Sequence, residues 1–243
     1  MVFCYIPKIS CTEWKTIFIT LKGKVNSSLL DLGNVHRKYQ RHLSFLGSYS
    51  SRDQKRILEN YKKYIVVRNP LERLLSAYRN KLAGRGFKDY TFQVEGKKIV
   101  NRYRINATRE SLKYGNDTTF LEFVKYITDK KTEHLNDHWD RYTTLCRPCL
   151  VKYDFIGKFE TLSRDADYIL RDIGAPTEVR FPSRSKKHNS TIETVKTVDK
   201  YYSQVPAEYI KKLWKSYRSD FDLFGYSLSD VLNVTSIPEM NTF

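Results

Sequence analysis

No apolar run in this 243-residue sequence approaches the roughly 18 residues that a membrane-spanning helix needs. Stretches such as Tyr64-Ile65-Val66-Val67 and Ile17-Phe18-Ile19 suit a buried strand or one face of a helix. Acidic residues are in deficit, with 43 Lys+Arg against 27 Asp+Glu and a formal net charge of +16, which excludes an acidic solvating tail. Met1 runs straight into the strand-like Val2 to Ile6 without a basic-apolar leader, so no targeting signal is legible, and any membrane anchor and stem are expected to lie outside this sequence. Internal repeats, low-complexity tracts and the aromatic run of an RNA-binding fold are also missing, and no nucleic-acid partner is expected. Cysteine is limited to Cys4, Cys11, Cys146 and Cys149, which permit two disulfides without fixing their connectivity.

What is present describes a folded chain. Hydrophobic residues make up 40% and aromatic residues 14%, enough to build a core although 29% of the chain is charged. A chain this long buries roughly 70–75% of its unfolded surface, and residues 1–243 are expected to form one large domain. The positive charge is spread along the sequence, giving a surface attractive to nucleotide phosphates, acidic polysaccharide or nucleic acid. Five Asn-x-Ser/Thr sequons, at Asn26, Asn106, Asn116, Asn189 and Asn233, join the even cysteine count in pointing to a secretory compartment.

Strand and helix patterns alternate. The run Val2 to Ile6 breaks at Pro7, and Trp14, Ile17, Phe18 and Leu21 follow at helical spacing. Ser51 and Gln54 fit a capping box for a helix that leads into the buried-strand run Tyr64 to Val67. After Arg68-Asn69-Pro70, a second helical pattern runs through Leu71, Leu74, Leu75 and Tyr78 and stops at Gly84 and Gly86. Residues 85–116 are basic, Gly/Asn-containing and weakly periodic, predicting a long surface excursion that carries acceptor contacts. Thr119 and Glu122 cap a further helix, Phe155 to Gly157 read as a strand, and a helix from Asp165 stops at Gly174. Residues 176–198 are predicted to be a polar linker containing Arg184-Ser185-Lys186-Lys187-His188, and a final helix starts at Pro206.

Two segments carry chemistry. Pro7-Lys8-Ile9-Ser10-Cys11-Thr12-Glu13-Trp14-Lys15 lies between a strand and a helix N-terminus, where unpaired N–H groups and partial positive charge attract anions. It lacks the glycines of a Walker A loop, which argues against an NTPase, and an ordinary βα turn with a hydroxyl cap would read similarly. In the second, Arg68 leaves the carboxyl end of a strand, the edge where open α/β sheets place ligands, and Ser76 follows two helical turns later. A guanidinium and a hydroxyl suit a phosphate clamp, whereas Arg73 and Arg79 read equally well as solvated.

Together these segments resemble the Golgi carbohydrate sulfotransferases, above all the chondroitin, dermatan and N-acetylgalactosamine 4-O-sulfotransferases. His138-Trp139, Leu145-Cys146-Arg147-Pro148-Cys149, Tyr153 to Leu162 and Tyr217 to Tyr226 extend the likeness along nearly the whole chain. The resemblance implies a single α/β domain of the P-loop-like sulfotransferase fold, with a central parallel sheet flanked by helices. It also implies 3′-phosphoadenosine 5′-phosphosulfate (PAPS) as sulfuryl donor, no metal, a polyanionic glycan acceptor, and residence in the Golgi lumen with membrane association in a full-length form.

By this likeness, Pro7, Lys8, Ile9, Ser10, Cys11, Thr12 and Glu13 hold the 5′-phosphosulfate, and Arg68 and Ser76 the 3′-phosphate. Lys8 would serve the leaving bridging oxygen. His138 is the candidate base for the acceptor hydroxyl, its alternative role being to pack on Trp139 or cap a turn, with Asp137 and Asp140 as substitutes or orienting groups. The sequence departs from the family at Ser10, Glu13 and Asn69, where Ala, Asn and Asp are usual. A carboxylate at position 13 repels a polyanion unless it turns toward Lys15 or solvent. The alternatives are a non-catalytic basic module for glycans or nucleic acid, and a zinc site built from His134, His138, Cys146 and Cys149.

Overall fold

The computed structural model describes residues 1–23, 35–83, 90–129, 135–182 and 191–232. In chain order its regular elements are β1 (Val2–Cys4), α1 (Cys11–Leu21), α2 (Ser51–Asn60), β2 (Lys63–Val67) and α3 (Pro70–Lys81). These are followed by α4 (Tyr90–Tyr103), α5 (Arg109–Tyr114), α6 (Phe120–Thr128), α7 (Tyr142–Leu145), β3 (Phe155–Lys158), α8 (Leu162–Asp172), α9 (Thr191–Tyr202) and α10 (Ala207–Phe224). They group into two compact units, Met1–Arg68 with Tyr142–His188, and Asn69–Arg141 with Asn189–Phe243.

The first unit is α/β. Its three strands are parallel in the order β1-β2-β3. The register aligns Phe3 with Tyr64 and Tyr64 with Phe155, so the three aromatic side chains share one face of the sheet. Helix α1 covers that face through Trp14 and Phe18, whose rings lie 4.7 and 5.1 Å from Phe3. Helix α8 covers it further along, where Tyr168 stacks on Phe155 at 4.5 Å and Asp172 accepts the Tyr64 hydroxyl proton at 2.5 Å. Gly157 lies close beneath α8, where a Cβ would stand 3.2 Å from Asp165 Cβ, a tight contact that the neighbour would have to relieve by a few tenths of an ångström. Cys4 pairs in register with Ile65 on the opposite face, and its sulfur is bonded to Cys146 just beyond α7. Cys11 and Cys149 are free.

The second unit is helical, with a core in which Leu71, Leu74 and Tyr78 of α3 meet Phe120, Phe123 and Ile127 of α6 and Leu213, Tyr217 and Phe221 of α10. Helix α6 begins with the expected reciprocal box between Thr119 and Glu122. The excursion predicted over 85–116 is overturned: it contains α4 and α5, packed so closely that a Cβ on Gly96 would meet the Gly115 carbonyl oxygen at 2.0 Å. Gly96 is a contact glycine within a helix, and Phe92, Ile99 and Val100 form the buried face around it. The linker predicted over 176–198 also gives way to α9 from Thr191. Ahead of α2 the cap is Ser50, whose Oγ accepts from Asp53 N–H, one residue before the expected Ser51/Gln54 box. Sequons Asn106 and Asn116 are exposed, while Asn26, Asn189 and Asn233, like the 184–188 basic cluster, lie outside the described residues.

Candidate active site

The parallel register brings three chain ends to one edge of the sheet. β1 runs into the Pro7–Ser10 turn, β2 into Arg68 and β3 into Phe159, all at carboxyl ends of neighbouring strands. In the first turn, Lys8 (φ 72°) and Ser10 (φ 52°) are left-handed, a conformation that costs a non-glycine residue about 1–2 kcal/mol. Buried Ile6 and Ile9 hold it, with Ile9 N–H donating to the Ile6 carbonyl at 3.3 Å. Left-handed residues in such a turn direct successive N–H groups into one concavity suited to an anion. Ser10 occupies the N-cap position of α1 yet makes no side-chain cap, so the hydroxyl-capped turn is ruled out and the first-turn N–H groups are left uncapped by it.

Burial shapes the charge here. Lys15, one turn into α1, is only 3% exposed, and burial lowers its pKa. Its ammonium donates to Gln40 Oε1 at 2.9 Å, contacts His36 Nδ1 at 3.3 Å and lies 4.0 Å from the centre of the Tyr5 ring. Glu13 does not pair with it. The Cys11 thiol is pushed up from its usual 9.0 by burial, against the pull of Lys15, and stays protonated at neutral pH.

At the end of β2, the Arg68 backbone is clamped by buried Tyr142. Arg68 N–H donates to the Tyr142 hydroxyl at 3.1 Å, and that hydroxyl donates to the Arg68 carbonyl at 2.7 Å. Val67 pairs with Lys158 in the sheet, so the next residues, Arg68 and Phe159, are neighbours, and the guanidinium lies 4.2 Å from the Phe159 ring centre. The ring gives the cation a flat support that limits its rotamers. Asn69 caps α3, its Oδ1 accepting Leu71 N–H at 3.0 Å. Neither Phe159 nor Tyr142 was legible as a site residue, because the link to Arg68 depends on strand register.

Ser76 and His138 belong to the second unit, Ser76 half-buried on α3. Asn136 Oδ1 accepts the backbone N–H of His138 at 3.0 Å and contacts His138 Nδ1 at 2.8 Å. An atom accepting a backbone N–H is the amide oxygen, so Nδ1 must be the protonated nitrogen, and the basic lone pair of the neutral ring resides on Nε2. Asn136 therefore orients His138. Asp140 instead accepts Arg141 N–H at 2.7 Å. His138 also packs edge-on against Phe92, with ring centres 5.1 Å apart. The turn that carries it rests on Arg73, which is not solvated: it is 1% exposed and donates to the carbonyls of Asp140 at 2.6 Å and Asp137 at 2.8 Å. Arg79 is exposed, as read.

Among the described residues no cluster of three or more His, Cys, Asp or Glu has metal-binding geometry. The zinc alternative loses Cys146 to the disulfide with Cys4, while His134 lies outside the described residues.

The profile of the sulfotransferase family matches residues 1–227. The chain belongs to that family. It is 38% identical over 227 residues to carbohydrate sulfotransferase 14 of Danio rerio, an alignment covering 93% of this chain and 60% of the relative. Carbohydrate sulfotransferase 11 of Rattus norvegicus is 36% identical over 238 residues, covering 96% and 66%, and carbohydrate sulfotransferase 9 of Homo sapiens is 36% identical over 229 residues, covering 93% and 51%. The chain thus spans about half to two thirds of the length of these relatives. No solved structure gives a significant match. The three-stranded parallel sheet with its helices agrees with the α/β sulfotransferase architecture expected from the sequence.

Proposed function

We propose that this chain is a carbohydrate sulfotransferase that moves a sulfuryl group from PAPS to a hydroxyl of a glycan of chondroitin or N-acetylgalactosamine type. The observation carrying this reading is the common sheet edge, where the left-handed loop of Lys8 and Ser10 and the supported Arg68 emerge from adjacent parallel strands. Family membership and the carbohydrate sulfotransferase relatives support the same chemistry.

Pro7 to Glu13 would bind the 5′-phosphosulfate through loop and helix N–H groups, and Arg68 with Ser76 the 3′-phosphate. His138 Nε2 would take the proton of the acceptor hydroxyl as its oxygen bonds to sulfur. The bond from sulfur to the bridging phosphate oxygen breaks, and Lys8 stabilises the charge left on that oxygen. Such a transfer needs positioning and charge stabilisation more than covalent participation by the protein, and it requires no metal. The +16 charge favours a polyanionic acceptor. Residence in the Golgi lumen accords with the disulfide and the exposed sequons.

Calorimetry with 3′-phosphoadenosine 5′-phosphate (PAP) and 5′-AMP at one salt concentration tests the donor site. Strong preference for PAP, lost in Arg68→Ala, is expected. Equal affinity for the two nucleotides would refute the 3′-phosphate assignment.

A further inference from the structure

Lys15 and His36 lie outside the segment assigned to the donor, Lys15 buried and His36 exposed. An ammonium has protons and no lone pair, so the 3.3 Å contact from Lys15 Nζ requires His36 Nδ1 to be the acceptor. A neutral imidazole with a bare Nδ1 carries its proton on Nε2, and His36 Nε2 is 2.8 Å from Thr12 Oγ1. The Thr12 oxygen is therefore the acceptor of that bond, and its own hydroxyl proton must be donated elsewhere. Thr12 is the second residue of α1, where the helix N-terminus attracts an anion. The tautomer is fixed by Lys15, which is itself buried, held by Gln40 and placed over Tyr5.

We propose that His36 is a positioning residue of the donor site: held with its proton on Nε2 by Lys15, it occupies the Thr12 oxygen and commits the Thr12 hydroxyl proton to the donor's 5′-phosphate. This rests on the PAPS reading given above. The chain Lys15–His36–Thr12 is a preorganised donor line, set before the nucleotide arrives, so binding need not reorient the hydroxyl. Gln40 supports it at one remove by fixing the ammonium.

Two measurements test this. Long-range proton–nitrogen NMR of the nucleotide-free chain should show His36 as the neutral Nε2–H tautomer, with that bias lost in Lys15→Met. A Nδ1–H tautomer in the unmodified chain overturns the proposal without recourse to any variant. In PAP calorimetry, His36→Ala should weaken binding about tenfold, His36→Gln, which keeps a terminal N–H donor, should restore most of it, and His36→Ala should cost nothing more in a Thr12→Val background. PAP binding with a His36 loss that persists undiminished in Thr12→Val refutes the role of His36 alone. Absence of PAP binding by the unmodified chain refutes the donor reading, and the proposal with it.

Discussion

Replacing Phe159 with Ala removes the flat support under Arg68 without touching the cation. The guanidinium lies 4.2 Å from the ring centre, well inside the roughly 6 Å range of cation–π attraction, and Arg68 is half-buried. Such a contact is worth about 1 kcal/mol, between the exposed and desolvated limits. The same free energy enters binding only where Arg68 contacts the ligand, so PAP affinity should fall about fivefold while 5′-AMP affinity stays within twofold. Arg68→Ala should cost PAP more, about 2–3 kcal/mol or 30- to 150-fold, because a charge-assisted contact is removed outright. Calorimetry on the two variants with both nucleotides supplies the four numbers. Equal losses for PAP and 5′-AMP in Phe159→Ala would place the effect on the fold or the 5′ side and refute the reasoning from strand register.

Asn136→Ala frees His138 to adopt the other tautomer, so kcat should fall about tenfold while the PAP dissociation constant is unchanged; a change in PAP binding instead would remove His138 from the acceptor side. Arg73→Met strands the carbonyls of Asp137 and Asp140 and should cost about 3 kcal/mol in urea unfolding, with a loss below about 1 kcal/mol counting against its role under the His138 turn. Arg104 binds both oxygens of Glu122, each at 2.7 Å, and also pairs with Asp117. Although burial pushes the Glu122 carboxyl up, the bonds from Arg104 and Thr119 outweigh it and hold its pKa below the usual 4.5. A lowered native pKa contributes stability that is complete above the unfolded value and lost as pH falls through the native one. Thermal stability should therefore drop on acidification below about 4.5, and Glu122→Gln should flatten that drop while costing about 2 kcal/mol at pH 7. An unchanged acid profile in Glu122→Gln would contradict the assignment.

The parts of the fold legible in the sequence are those set by near neighbours. The break at Pro7, the Thr119/Glu122 box, the stop at Gly174 and the strand before Arg68 each depend on a few adjacent residues. Helices α4 and α5 escaped because Gly96 and Gly115 look like loop markers until their backbones are seen to touch. Arg73 escaped for a similar reason: a buried guanidinium is satisfied by carbonyls 64 and 67 residues away, and no local pattern announces them. The loop and Arg68 were legible from residue type and position after a strand. The groups that support them, Tyr142, Phe159, His36 and Gln40, were not, since all four depend on tertiary pairing, and neither was Asn136, which orients His138 through a turn conformation specific to its surroundings. The pairing of Cys4 with Cys146 spans 142 residues and was likewise open among the four cysteines.

Sulfuryl transfer driven from the loop that follows β1 is the activity proposed for this chain. Its most direct test is transfer of radiolabel from sulfur-labelled PAPS to desulfated chondroitin, run with the unmodified chain and with Lys8→Ala. Label is expected in the glycan with the unmodified chain, and at least a hundredfold less with Lys8→Ala, while PAP still binds the variant. PAP binding without transfer by the unmodified chain, or undiminished transfer by Lys8→Ala, would contradict it.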